Sequence, residues 1–412
     1  MSEHPINTQR LWNSLMEMGE IGATDAGGCC RLALTELDRQ GRDLFVRWCL
    51  DAGCDIRIDR IGNIYARRPG TDPDALPIST GSHLDTQPTG GKFDGIYGCL
   101  AGLEVIRALN DEAIQTRRPV EVVIWTNEEG SRFAPAMVAS GVYSGKFSLD
   151  YALNQTDAQG IRLGDALQAI GYDGDLEVGA CTFGKFFELH IEQGPVLERE
   201  KEDIGVVTGV LGMRWYDVTV KGVCAHAGPT PMSYRRDALG ATARMISALI
   251  EMAADRAEED GRCTIGELDI PKGSRNVIPG DLNFTLDLRN ASLDGLEAME
   301  QHARSLIDRI ATDAGVEVTL ECIWDSPPTV FDAACVDAVE QAVASSGCSY
   351  RRMTSGAGHD AVNISAVAPT SMIFVPSVGG ISHNESEYST PEQIGRGARI
   401  LYEVMKNEAQ NA

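Results

Sequence analysis

Near-continuous runs of β-branched and aromatic residues alternate along this chain with stretches in which apolar residues recur every three or four positions. Residues 6–21 and 30–52 carry the second pattern, with Leu32, Leu34, Leu37, Leu44, Phe45, Trp48 and Leu50 on roughly helical spacing, and predict two helices. Cys54 to Ala66 predicts a pair of strands turning at Gly62-Asn63. Ile78 to Ser82 is extended and delivers His83 at its end, and a helical run (Leu100, Leu103, Val105, Ile106, Leu109) begins after Gly98. Val120-Glu-Val-Val-Ile-Trp-Thr126 is apolar on almost every position, as a strand buried on both faces of a parallel sheet requires. Phe186 to Ile191 and Ser371 to Pro376 predict two further strands. Strands and helices in this alternation predict an α/β fold.

The rhythm changes between about 212 and 326. Arg214 to Val223 alternates like a half-exposed strand, and Asp237 to Ala254 predicts a helix. Strands around Cys263–Ile270 and Leu282–Arg289, a helix over Leu293–Ala314 and a strand over Val316–Ile323 follow. The order βαββαβ is the ferredoxin-like arrangement. The chain therefore divides into an α/β domain built from 1–211 and 327–412, with 212–326 inserted as a second domain. A length of 412 residues agrees with more than one core.

Composition narrows the class. With 43% hydrophobic and 23% charged residues, the chain resembles a globular enzyme. Its net charge of -24 argues against nucleic acid and anionic membranes as partners. The amino terminus shows no basic segment followed by an apolar run, and no stretch has the length of a membrane span, so a cytoplasmic protein is expected. The 11 cysteines include no C-x-x-C pair, which predicts that most are small buried side chains rather than a thiolate zinc site. Gly356-Ala-Gly-His-Asp-Ala361 fits G-x-G-x-x-A but lacks the βαβ frame of a dinucleotide site, and no G-x-S-x-G elbow of a serine hydrolase occurs.

The candidate chemistry lies at the carboxyl ends of the predicted strands, the edge at which open α/β sheets bind ligands. His83, Asp94, Glu128, Glu129, His190 and His383 all fall there, in Gly-flanked loops. Three imidazoles and two carboxylates suffice for two divalent ions if one carboxylate bridges. Mixed nitrogen and oxygen ligands suit zinc, and also manganese, cobalt or nickel. Such a pair, about 3.5–4 Å apart, can share a water, lower its pKa and polarise a carbonyl. Adjacent carboxylates at Glu128 and Glu129 can supply one ligand and one general base. Asp85, two residues after His83, is expected to accept the other ring N–H of that histidine.

Gly81-Ser-His-Leu-Asp-Thr, Phe93-Asp-Gly, Asn127-Glu-Glu-Gly, His190-Ile-Glu-Gln-Gly-Pro and Ser382-His-Asn-Glu together resemble the hydantoinase/carbamoylase branch of the M20 metallopeptidase superfamily. The resemblance implies a zinc-aminopeptidase-like mixed-sheet catalytic domain with an inserted ferredoxin-like lid and dimerisation domain. It implies that His83 and His190 bind one ion, Glu129 and His383 the other, that Asp94 bridges them, and that Glu128 is the general acid/base. His226, in Cys224-Ala-His-Ala-Gly-Pro229, resembles the family histidine that reaches the partner subunit's site and holds the oxyanion. Arg289 matches an arginine that clamps the substrate carboxylate, with Asn276 and Gln193 as amide contacts and His359 as a further contact near the metals. His4 and His302 are left as surface residues. The implied reaction is hydrolysis of an N-carbamoyl-L-amino acid or 3-ureidopropionate, a small ureido acid, by a homodimer. Allantoate is the alternative substrate. A dipeptidase or deacylase is disfavoured by His190, where the peptidase branch usually offers a carboxylate. A non-catalytic dimeric homologue is disfavoured because every expected position is filled.

Overall fold

The computed structural model describes residues 4–411 and separates the chain into two compact units. One comprises the chain up to Thr208 together with the chain from Phe331; the other is Gly209–Val330.

The first unit is built on a mixed sheet. Its strands run in the order Asp55–Ile58, Ile64–Arg68, Val120–Trp125, Ile78–His83, Lys185–Ile191, Thr370–Val375, Ile204–Val210, with Tyr350–Ser355 also paired to Ile204–Val210. The central four, from Val120–Trp125 to Thr370–Val375, are mutually parallel, and the flanking pairs on either side of them are antiparallel. Parallel strands point their carboxyl ends the same way. Residues that follow His83, Trp125, Ile191 and Val375 therefore emerge along one edge of the sheet. Those strands are buried on both faces, and Val120–Trp125 and Thr370–Val375 are correspondingly rich in apolar residues, whereas Ile78–His83 fills its buried positions with small polar side chains.

Helix Ile96–Asp111 is buried along nearly its whole length, and packs on the central strands and on helix Pro391–Gln410. A Cβ at Gly98 would strike the backbone carbonyl of Leu189, so a glycine there lets helix and sheet approach closely. Pro391–Gln410 opens with a capping box between Thr390 and Gln393 and has a proline in its first turn.

The second unit holds a five-stranded antiparallel sheet in the order Leu268–Asp269, Asp281–Asn290, Gly212–Lys221, Glu317–Ser326, with Arg262–Thr264 also on Asp281–Asn290. Helices Ala238–Ala254 and Leu293–Ala314 pack with it around Tyr216, Val218, Met245, Leu249, Phe284, Leu286, Met299 and Ile307. With the short pieces Arg262–Thr264 and Leu268–Asp269 counted as one strand, the order is the 4-1-3-2 of the ferredoxin-like arrangement, and the inward residues alternate as a one-sided sheet demands. Among the described residues no helix is long and apolar enough to cross a membrane.

Two expectations change. The second helix starts at Glu36 rather than at 30, because Thr35 caps it by accepting the Asp38 N–H, while Leu34 takes φ 57 and donates its own N–H to the Asp38 carboxylate. Leu32 and Leu34 are on helical spacing by coincidence. The strand expected over 263–270 is split, because the Thr285 hydroxyl accepts the Glu267 N–H between the two short pieces. Six of the 11 cysteines are buried, namely Cys29, Cys49, Cys54, Cys99, Cys181 and Cys335, so most are buried as expected, and Cys224 and Cys322 are exposed.

Candidate metal centre

The sheet edge gathers the predicted cluster. His83 is the last residue of its strand and is buried; its Nδ1 lies 2.8 Å from the backbone oxygen of Asp85. Gly95 has φ 69, and a Cβ there would run into the His83 imidazole, so both conformation and space demand glycine beside Asp94. Asp94 stands in the middle. Its Oδ1 lies 3.1 Å from His190 Nε2 and 3.7 Å from His83 Nε2, and its Oδ2 lies 3.3 Å from His383 Nε2. Glu129 Oε2 is 3.5 Å from His383 Nε2, and Glu128 Oε2 is 3.5 Å from His83 Nε2. Three groups with ligand atoms within 4.8 Å of one another result among the described residues: His83–Asp94–His190, Asp94–Glu129–His383 and Glu188–His190–His359. Asp94 belongs to the first two.

Glu128 and Glu129 diverge because the backbone turns sharply in front of them. Asn127 sits at φ 56, in the left-handed region, and its Nδ2 donates to the Phe133 carbonyl at 2.8 Å. The Thr126 N–H donates to Asn63 Oδ1, and the buried Arg42, paired with Asp38 at 2.9 Å, donates to the Thr126 hydroxyl. Asp85 completes the turn, accepting the N–H groups of Glu128 and Glu129 at 3.3 and 3.2 Å. That corrects the expectation for Asp85. Its carboxylate is 3.9 Å from His83 Nδ1, whose closer partner is the backbone oxygen of the same residue.

Charge in this cluster is unbalanced. Burial, then the charges of Asp360, Glu129, Asp85 and Asp94, pushes Glu128 well above the usual carboxylate range. Burial and Asp94 push Glu129 to about 8. His190, although burial opposes its charge, is held up at about 9 by Asp94, and a hydrogen bond to Asp94 raises His383 to about 9. Every recorded ion pair of Asp94, Glu128 and Glu129 has an imidazole as its partner, and none has a lysine or arginine. Buried carboxylates are ordinarily matched by a cation. The donor set, with nitrogen and oxygen ligands on both sides of a shared carboxylate, fits two divalent ions in that part.

The remaining predicted residues fall into two sets. In the same unit, Gln193 Nε2 donates to Asp94 Oδ2 at 2.8 Å, while its Oε1 is buried without a hydrogen-bond partner. His359 is buried, with Nε2 3.1 Å from the Ser355 hydroxyl and its ring edge-on to His190 at 4.6 Å. In the Gly209–Val330 unit, His226 is exposed and sits on a two-residue strand opposite Val277, with Nδ1 accepting the Gly228 N–H. Asn276 is exposed and accepts the Ala227 N–H on its backbone oxygen. Arg289 is half-buried and pairs with Asp287 at 2.8 Å, on its own strand. His302 is exposed as expected, but His4 is partly covered, edge-on to Tyr402 and 3.6 Å from Glu403.

Sequence reasoning missed four polar residues around the cluster. Gln87 donates to Glu129 Oε2 at 2.7 Å. Glu188, fully buried, accepts from the Ser82 hydroxyl and the Ala361 N–H. Asp360 is buried, with neither carboxylate oxygen hydrogen-bonded. Glu387 accepts the N–H groups of Phe93 and Asp94. The only signal for each was its place beside a singled-out histidine, as in Ser382-His-Asn-Glu-Ser-Glu387, Glu188-Leu-His190, His359-Asp360 and His83-Leu-Asp-Thr-Gln87.

Comparison with known proteins gives the same architecture and motifs a family. The sequence signature of peptidase family M20/M25/M40 matches residues 79–407. An N-carbamoyl-L-amino-acid amidohydrolase from Rhizobium meliloti is 46% identical, over 98% of this chain and 97% of its own. An allantoate amidohydrolase from Bacillus subtilis is 35% identical, over 94% of each. The crystal structure of a hydantoinase/carbamoylase family amidase from Burkholderia multivorans superposes with a TM-score of 0.97 at 54% identity, covering 98% of both chains. With a signature spanning most of its length and relatives of this identity, the chain belongs to peptidase family M20/M25/M40, in its branch of hydantoinase/carbamoylase amidases, and is an enzyme of the amidohydrolase class.

Proposed function

We propose that the protein hydrolyses the carbamoyl C–N bond of N-carbamoyl-L-amino acids or 3-ureidopropionate, giving the amino acid, ammonia and carbon dioxide. The observation that carries the reading is the shared Asp94, flanked by two imidazole-bearing triads, with Glu128 beside them but in neither. His83, His190 and Asp94 would hold one divalent ion, and Asp94, Glu129 and His383 a second. Zinc is the first candidate, with manganese, cobalt and nickel compatible with the same ligands. Ions so placed polarise a carbonyl and lower the pKa of water.

The chain's own groups do the rest. Glu128, buried and with its proton affinity raised, is suited to take a proton from the attacking water and deliver it to the departing nitrogen. Asp85 fixes the backbone from which Glu128 and Glu129 project. Gln193, His359, Asn276, Arg289 and His226 enter as substrate contacts on the strength of the family resemblance. A guanidinium fork at Arg289 matches a substrate carboxylate, and His226 would come from the second subunit of a homodimer to hold the oxyanion. The setting proposed is the cytoplasm.

Allantoate, also a ureido acid, is the second reading, favoured by the relatives that bear that name. The test is ammonia release by protein reconstituted with zinc, manganese, cobalt or nickel. Its panel holds N-carbamoyl-L-amino acids, 3-ureidopropionate, allantoate and dipeptides. Turnover of a ureido acid supports the reading and names the substrate. Cleavage of dipeptides alone would refute it.

A further inference from the structure

Glu387 is buried, yet it reaches two loops that carry predicted ligands. Its Oε1 accepts the N–H of Phe93 at 3.1 Å and of Asp94 at 3.0 Å, across separations of 294 and 293 residues. Its Oε2 lies 2.8 Å from the hydroxyl of Ser382, the neighbour of His383. Ser382 in turn lies 3.1 Å from Asp94 Oδ2 and accepts from Gln193 Nε2 at 3.3 Å. One carboxylate thus ties the backbone of Asp94 to the loop of His383. The sequence makes room for it. A Cβ on Gly91 would overlap the Glu387 carboxylate and also its Cβ, so a shift of the side-chain tip alone would not relieve the contact.

We propose that Glu387 is a positioning residue that locks the loop of Asp94 to the loop of His383 and so sets the geometry of the Asp94–Glu129–His383 cation position. Both ligands sit on loops, and His383 is itself exposed, at φ 53. Hydrogen bonds from Glu387 supply the order that regular structure does not. Partners behind the ligands of metal sites generally govern affinity in this way, by about 10–100-fold. The inference rests on the two-ion reading of the cluster.

Zinc titration of the chelator-stripped full chain, in competition with a chromogenic chelator, tests it, with circular dichroism reporting the fold. Wild type is expected to take up two ions. In Glu387→Ala one of the two ions should dissociate about 10–100-fold more readily. Glu387→Gln keeps an oxygen for the two backbone N–H groups and should lose less. Gly91→Ala leaves every polar group in place and should still weaken the same ion, because it displaces the carboxylate. Folded Glu387→Ala or Gly91→Ala protein that binds both ions as wild type does would overturn the proposal. Wild-type protein that takes up fewer than two ions would instead sink the two-ion reading beneath it.

Discussion

Asn127 offers a sharp test of how the site is aimed. At φ 56 it reverses the chain between a buried strand and the two carboxylates, and its side chain is tied to the Phe133 carbonyl. Asn127→Ala removes that bond, leaving a buried carbonyl unpaired, at a cost of about 1–3 kcal/mol. Alanine keeps the Cβ that Asn127 already holds in left-handed backbone, so that strain, about 1–2 kcal/mol, is unchanged. The total is therefore about 1–3 kcal/mol. Asn127→Gly loses the same hydrogen bond but no Cβ is strained. After the greater freedom of glycine in the unfolded chain is set against this, Gly should be about 1 kcal/mol less damaging than Ala. The Asn127 Oδ1 is buried without a partner, so its loss adds no penalty. Urea midpoints and kcat/KM should rank wild type, then Gly, then Ala. If Ala matches or exceeds Gly in both measurements, the backbone turn is not what directs Glu128 and Glu129.

Two further consequences concern charge. Asp38→Ala strands the buried Arg42 guanidinium that supports the Thr126 turn, and should cost about 3–5 kcal/mol in urea unfolding. The paired change Asp38→Leu with Arg42→Met should recover much of that loss, and a double mutant no better than the single would contradict the account. Removal of metal should also make stability fall with pH. Glu387 at about 7 and Glu129 at about 8 lie above the ordinary 4.5 of a carboxylate, and His190 and His383 at about 9 lie above 6.5. All four hold more protons folded than unfolded, so their contribution is complete below those ordinary values and is lost as pH rises through the folded ones. The Tm of chelator-treated protein should drop between about pH 6 and about pH 9, and less so for metal-loaded protein. A flat profile would refute the assignment.

Val120–Trp125 was legible because burial on both faces leaves a run that is apolar at every position but Glu121. Tyr350–Ser355 was not, because two arginines and partial exposure erase that signature. The helix Leu293–Ala314 could be bounded to the residue, since Ser292 caps one end and Gly315 closes the other at φ 64. Residues at strand ends announced the cluster, because a parallel sheet brings such ends together whatever their separation in the chain. What lay beyond sequence was which atom of a nearby residue makes the contact. Asp85 is two residues from His83, yet its backbone oxygen rather than its carboxylate takes the ring, and the carboxylate turns to Glu128 and Glu129. Gln87 and Glu387 show the same limit, since each acquires its role only when a distant loop arrives.

Glu128→Gln tests the central claim most directly. The substitution removes a proton carrier while sparing both triads, so shape and metal ligands are preserved. Ammonia release from the best ureido acid should fall by about 100- to 10,000-fold, with two ions per chain retained by metal analysis. Turnover near wild type in Glu128→Gln would contradict the assignment of Glu128 as the proton carrier of an amidohydrolase reaction at this centre.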